Sequence, residues 1–276
     1  NHAILLHLNK FLIIYYSIMV YKYLLIFVNI LNFTVSWNSI GHSLILRIAE
    51  KHIRHDKLKR INNIIGEPIT KVGDWADLIK HKPNYKWTEP LHFINIENNK
   101  NLNYITDCIK NKCIIGGINN FIWQLIEKKN LNEPIRFLAH LFADIHQPLH
   151  CGYKKDLGGN ILYVRYNVDN LYVKRNFHIV WDKSMISSRI LLDFNNDIDK
   201  YFSHLYRISV TYMDDEIVDP LIIAEETVRL LPYVYRNVYE NCTLDYQYYK
   251  DNCDILDRQL AIAGKRMAIL FNTYIE

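Results

Sequence analysis

The chain has 276 residues, half of them hydrophobic, which is ample for one well-packed core of ordinary domain size. Lys and Arg number 33 against 29 Asp and Glu, a formal charge of +4. That balance excludes a general polybasic grip on nucleic acid, so attraction for a polyanion has to be local, for example through bound cations.

In chain order, the first segment stands apart. Residues 1–36 contain no Asp or Glu and only Lys10 and Lys22 as Lys or Arg; most of the rest are Ile, Leu, Phe, Tyr and Asn. Met19 reads as a start, Lys22 as a positive n-region and 23–33 as an apolar h-region. Thr34-Val35-Ser36 then offers small residues at the −3 and −1 positions of a signal-peptidase site. The apolar run is short for a membrane span, which needs roughly 20 residues, and it carries Asn29 and Asn32. Residues 1–36 are therefore expected to be a signal peptide that leaves no stable membrane span once cleaved. An uncleaved anchor including the stretch before Met19 is the alternative. Without Lys10 and Lys22 the remaining chain holds 31 basic and 29 acidic residues, a formal charge of +2.

From Trp37 onward there is no internal repeat and no Gly/Ser/Pro-rich linker, which predicts a single domain over 37–276. Helical periodicity is clearest over 40–53, 118–128, 134–145, 220–239 and 255–271. In the last of these, Leu256, Leu260, Ala263, Met267 and Leu270 form an apolar stripe. Residues 161–166 and 171–173 read as a short β-hairpin after the Gly158-Gly159 turn, with 167–170 between the strands. The expected architecture is mainly α, a single-domain helical bundle with one small β-hairpin insert.

Five cysteines fit an oxidising compartment. Cys108 and Cys113 could close a small loop and Cys242 and Cys253 a second one, leaving Cys151 over. Asn241-Cys242-Thr243 is an N-glycosylation sequon, meaningful only on the secretory route.

The twelve histidines say more by their arrangement than by their number. His140 and Asp144, and again His178 and Asp182, are four residues apart, so on a helix each pair shares a face and can hold one metal ion. Pro148 ends or kinks the first of these helices and sends His150 onto a different path. Asp77 follows Trp75-Ala76, and His92 stands in the apolar frame Leu91-His92-Phe93-Ile94; a buried Asp or His there needs a partner, and a metal ion is one. Any one of these residues alone reads as an ordinary hydrogen-bonded or ion-paired side chain; two spaced pairs with further candidates read as a metal site. His146, two residues past Asp144, is turned about 200° round the helix and is expected to pack or support. His52, His55, His81 and His204 have no spacing that recommends them.

Trp37-Asn38-Ser39-Ile40-Gly41-His42, Trp75-Ala76-Asp77, Leu91-His92-Phe93 and the block from Phe137-Leu138-Ala139-His140 through Asp144-Ile145-His146-Gln147-Pro148-Leu149-His150 together resemble the S1/P1 nuclease family. Gly158-Gly159-Asn160, the His178/Asp182 pair and the terminal segment from Gln259 to Ala268 continue the resemblance in order. It implies a phospholipase C/P1 nuclease-like helical fold and three Zn2+ ions per chain. One would be held by Asp77, His92, His140 and Asp144. A second would use His42, a bridge from Asp144, and the α-amine and carbonyl oxygen of Trp37. The third would take His150, His178 and Asp182. Trp37 follows the expected cleavage site directly, and only cleavage there frees the amine.

The resemblance further implies a secreted, monomeric hydrolase. Its substrates would be single-stranded DNA or RNA, cut to 5′-nucleotides by metal-activated water, and 3′-nucleotides. Asp77 and Lys80 take catalytic roles, Lys80 where relatives carry Arg or Lys against the pentacoordinate phosphorus. Lys offers a point charge without the guanidinium fork. Phe93 matches a base-stacking position, and Asn95 and Asn160 fall at substrate positions; Asn95 departs from relatives that carry an acid there, which leaves base preference open. The Cys108–Cys113 loop fits, whereas a long-range bridge of some relatives has no clear upstream partner here. Two alternatives remain open from the sequence: a phospholipase-C-like trizinc phosphodiesterase, and a secreted zinc-binding protein without turnover.

Overall fold

The computed structural model describes residues 37, 39–98, 100–168, 171–212 and 216–276. The expected signal peptide, 1–36, lies outside the described residues. Within them the chain is mostly helical with one small sheet.

The first helix of the described residues, α1 (Ser39–His52), buries Leu44, Ile45, Leu46, Ile48 and Ala49. It packs against the last helix, α9 (Tyr246–Tyr274), the longest among the described residues. The α9 stripe read from the sequence is buried as expected: Leu256, Leu260, Ala263, Met267 and Leu270 all lie in the core. Helix α9 starts nine residues before the periodic stretch because the Asp245 carboxylate caps it, accepting from the amides of Gln247 and Tyr248. At the α1–α9 crossing the two backbones come close enough that a Cβ on Gly264 would lie 2.6 Å from Ile48 Cβ and 2.7 Å from the Ile45 carbonyl oxygen. Only hydrogen fits there.

Helices α2 (His55–Ile65) and α3 (Trp75–Ile79) follow α1. Next come α4 (Ile114–Ile126) and α5 (Asn132–Asp144), buried throughout from Phe137 to Asp144, which pack on each other. Helix α4 begins four residues earlier than its periodicity suggests and ends at Ile126, ahead of left-handed backbone at Lys128 and Asn130. A continuous helical segment, α6, spans 177–193 and contains two π-helical turns, Val180–Ser184 and Arg189–Asp193. Helix α7 (Ile198–Thr211) packs on α1 and α9. The helix expected over 220–239 is broken. Helix α8 (Pro220–Val228) stops early, and after a turn only Leu231–Val234 is helical, because Pro232 has no amide hydrogen to continue the ladder.

The hairpin is present with longer strands than expected. Strands β1 (Tyr163–Val168) and β2 (Leu171–Asn176) pair antiparallel from Tyr163↔Asn176 to Val168↔Leu171. A third strand, β3 (Thr243–Leu244), runs parallel to β1. At two residues it is too short to leave a periodic signal in the sequence.

Cys108 and Cys113 form a disulfide. The possible Cys242–Cys253 bridge is not made: both are free and buried. Each sulfur has another partner; Cys253 Sγ donates to the Tyr249 carbonyl at 3.1 Å, and Cys242 Sγ accepts from the Tyr239 amide at 3.5 Å. Cys151 is also free and buried.

Candidate active site

Helix α5 is the axis of the site. Its His140 and Asp144, one turn apart, have no solvent exposure, and His140 Nε2 lies 3.0 Å from Asp144 Oδ2. Around them gather His42 from α1, Asp77 from α3, and His92, the last residue of the 3-10 segment Pro83–His92. His92 Nδ1 lies 3.1 Å from His140 Nε2, 3.2 Å from Asp144 Oδ2 and 3.6 Å from Asp77 Oδ1. On the other side His42 Nε2 stands 3.2 Å from Asp144 Oδ1, and the His42 ring stacks on that of His140 at 4.3 Å. The two oxygens of Asp144 thus face two different groups of imidazoles.

Trp37 enters through its backbone. Its indole is fully buried with Nε1 donating to the Ala143 carbonyl at 3.0 Å, which brings the Trp37 carbonyl oxygen into contact with His42 Nδ1.

A third group lies beyond the end of α5. Pro148 opens the 3-10 turn Pro148–Cys151, which carries His150 away from the α5 axis as expected. There His150 Nε2 meets His178 Nε2 at 3.2 Å, and Asp182 Oδ2 lies 3.3 Å from His178 Nε2. The His178/Asp182 pair keeps its i,i+4 contact although it crosses into a π turn of α6.

Several of these imidazoles are oriented from behind by a backbone carbonyl. His140 Nδ1 donates to Gly73 O at 2.6 Å, His150 Nδ1 to His92 O at 2.6 Å and His178 Nδ1 to Gly158 O at 2.7 Å. In the neutral ring that a metal ligand requires, the carbonyl fixes the tautomer and the opposite nitrogen, Nε2, presents a lone pair to the site. Two such lone pairs, on His150 and His178, then face each other at 3.2 Å, an arrangement that a cation between them relieves. Gly158 holds its carbonyl in place with left-handed backbone, φ +62°, and a Cβ there would meet the Leu149 oxygen at 2.3 Å.

The electrostatics agree with a cation site. Burial opposes the charge on Asp144, but His140 and His150 outweigh it and hold the carboxyl well below its usual range. Burial likewise disfavours a charged His140, yet Asp144 and Asp77 push it up to about 9. Burial alone dominates at His150, lowered to about 3, and at Asp182, raised to about 6. Asp77 Oδ2 and His92 Nε2 are buried without a hydrogen-bond partner. Among the described residues three groups have ligand atoms close enough to hold an ion: His42/His140/Asp144, Asp77/His92/His140 and His150/His178/Asp182. The donor set, imidazole and carboxylate with no thiolate, suits a borderline divalent cation such as zinc.

A model of the S1/P1 nucleases matches residues 37–276. The chain belongs to the S1/P1 nuclease family. It is accordingly a hydrolase of the nuclease type. Endonuclease 3 of Arabidopsis thaliana is 29% identical over 276 residues, covering 90% of this chain and 92% of the relative. Nuclease S1 of Aspergillus oryzae is 31% identical over 163 residues, 55% of each chain. Nuclease P1 of Penicillium citrinum is 29% identical over 161 residues, 54% of this chain and 58% of the relative.

In this S1/P1 nuclease chain Lys80, Phe93 and Asn95 follow closely on ligand-bearing elements, and Asn160 lies in the turn ahead of β1. Lys80, at the end of α3, donates from Nζ to Asp77 Oδ1 at 2.6 Å and is largely covered, so it is not a free surface lysine. Phe93 follows His92 in extended backbone and is 41% exposed, an aromatic outside the core. Asn95 is half-buried, and Asn160 is exposed with Nδ2 donating to Leu157 O at 2.9 Å.

His146 is buried, its Nδ1 donating to the Phe142 carbonyl at 2.8 Å; burial and the nearby Arg266 lower it to about 3. His52 pairs with Ser209 and His204 with Asp257, His81 faces Glu89, and His55 is exposed at the start of α2. The sequence reading missed the carbonyls of Gly73 and Gly158, which carry no side-chain signature. It also gave no role to Gln147, although Gln147 stands between Asp144 and His150 in the family motif.

Proposed function

We propose that this chain is a secreted, zinc-dependent phosphodiesterase that cuts single-stranded DNA or RNA to 5′-nucleotides, also hydrolyses 3′-nucleotides, and works as a monomer. The observation that carries the reading is the position of Asp144: one oxygen faces His42, the other faces His92 and His140, and a third ligand group lies one turn beyond. The names of the relatives, nucleases and endonucleases, support the substrate class. No helix among the described residues is long and apolar enough to cross a membrane.

Asp77, His92, His140 and Asp144 would hold one zinc, and His42, Asp144 and the α-amine and carbonyl oxygen of Trp37 the second. His150, His178 and Asp182 would hold the third. Bound zinc supplies Lewis-acid activation of water and positive charge for the phosphate oxygens. The chain's own residues do the rest. Lys80, held on Asp77, places an ammonium beside the ligands, where it offers a point charge to a phosphate oxygen. Phe93 presents an exposed ring on which a base stacks; stacking accepts any base and needs it unpaired, which favours single strands. Asn95 and Asn160 offer amides that both donate and accept, which suits weak base discrimination. Residues 1–36 would serve as the signal peptide and 37–276 as the catalytic domain. The exposed Asn241 of the sequon would carry a glycan on the secretory route.

The test is hydrolysis of single-stranded against duplex DNA by protein beginning at Trp37, before and after chelation and zinc readdition. Single-strand preference with zinc-restored turnover is expected. Turnover unaffected by full chelation would overturn the reading.

A further inference from the structure

Gln147 lies at the junction of α5 with the turn that carries His150, and it is fully buried. Its side chain uses both ends. The Oε1 atom accepts from the Leu149 amide, which caps the Pro148–Cys151 turn. The Nε2 atom donates to Asp182 Oδ1 at 2.7 Å. Because the Leu149 amide occupies Oε1, the amide orientation is fixed: only the NH2 end is left for Asp182. Asp182 is therefore held at Oδ1, while its other oxygen, Oδ2, lies 3.3 Å from His178 Nε2 on the ligand side. His150 Nε2 lies 3.8 Å from the held oxygen, and Gln147 sits three residues before His150 in the chain.

We propose that Gln147 is the positioning residue of the His150/His178/Asp182 group. It holds Asp182 through one oxygen so that the carboxylate offers a single ligand atom, and it fixes the turn that delivers His150. This rests on the metal reading above. A carboxylate freed from Gln147 can swing both oxygens toward the cation and take up a coordination position needed by water or phosphate. Gln147 also ties the third group to α5, since the helix that carries Asp144 ends three residues before it.

The experiment measures cobalt and zinc binding to the purified, metal-stripped full domain, with Gln147→Glu and Gln147→Met beside the parent. Glu keeps the acceptor for the Leu149 amide but sets a carboxylate against Asp182; Met removes both bonds at similar volume. In both variants two ions are expected to bind as in the parent. The third should weaken about 10- to 100-fold, the usual range for a residue that orients a ligand. The visible spectrum of cobalt in that site should change, and kcat should fall more than KM rises. Unchanged affinity and spectrum at the third site in a folded variant overturns the role of Gln147. A parent that binds fewer than three ions overturns the metal reading and the role of Gln147 with it. If Gln147→Glu fails to fold, Gln147→Met decides by the same affinity and spectrum.

Discussion

Asp144 faces four imidazoles, those of His42, His92, His140 and His150, at 3.0 to 3.7 Å. Asp144→Asn keeps the shape and removes the charge, so zinc content should drop by one to two ions and turnover by several orders of magnitude. Near-normal zinc and turnover would exclude a bridging role. Phe93 gives the opposite signature. Phe93→Ala should raise KM on oligonucleotides roughly 10- to 100-fold, since stacking contributes about 1–3 kcal/mol per base, and leave zinc and folding intact. Loss of zinc or of the fold would make Phe93 a packing residue despite its exposure. At Trp37 the expectation concerns the amine. A version with one extra residue ahead of Trp37 should lose one zinc and most phosphodiesterase activity while the other two groups fill. Equal zinc and equal turnover, with the extension verified by mass, would reduce Trp37 to a packed aromatic. The eight side-chain ligand candidates were legible because the i,i+4 pairs and the ordered motif name them. Gln147 and the orienting carbonyls were not, because their roles depend on where the chain returns, and a carbonyl looks the same at every residue.

Between elements, a buried ionic contact away from the site joins α6, α7 and α9. The buried Asp257 on α9 accepts from Arg189, Tyr201 and His204, with Arg189 Nη2 at 2.7 Å and the Tyr201 hydroxyl at 2.7 Å. Burial works against its charge, but the bonds from His204 and Arg189 prevail and its carboxyl is lowered. A lowered folded value means that the contribution is complete above the unfolded carboxylate pKa of about 3.9 and is lost as pH falls through the folded value below it. Asp257→Asn should therefore melt well below the parent at pH 7, by an amount on the order of 3–5 kcal/mol for an opened buried ion pair, and the gap should close only under acid below about pH 4. A gap that is constant from pH 7 to pH 3 would contradict the ionic origin. At the α1–α9 crossing, Gly264→Ala sets two effects against each other. Alanine gains about 1 kcal/mol of helix propensity, whereas its Cβ meets backbone and a branched Cβ that cannot swing away, at about 1–3 kcal/mol or more. A lower melting temperature is expected; a higher one would show that the helices separate without loss. The long helices were readable from periodicity. The break at Pro232 and strand β3 were not, since the apolar pattern runs on past Pro232 and a two-residue strand has no period.

For the whole molecule, folding and metal loading are one problem. Three buried carboxylates and five buried or nearly buried imidazoles converge from α1, α3, α5, α6 and two turns, and without cations they leave buried nitrogen and oxygen atoms unpaired. Ions that bind only the folded chain stabilise it in proportion to the logarithm of their free concentration, so chelation should lower the melting temperature and zinc should restore it. The near-neutral charge read from the sequence then has its counterpart: the positive field for a polyanion is concentrated in the site rather than spread over the surface. The most direct measurement is elemental analysis of metal in folded, metal-replete protein beginning at Trp37. About three zinc ions per chain are expected from the three ligand groups. One ion or none would contradict the three-cation centre.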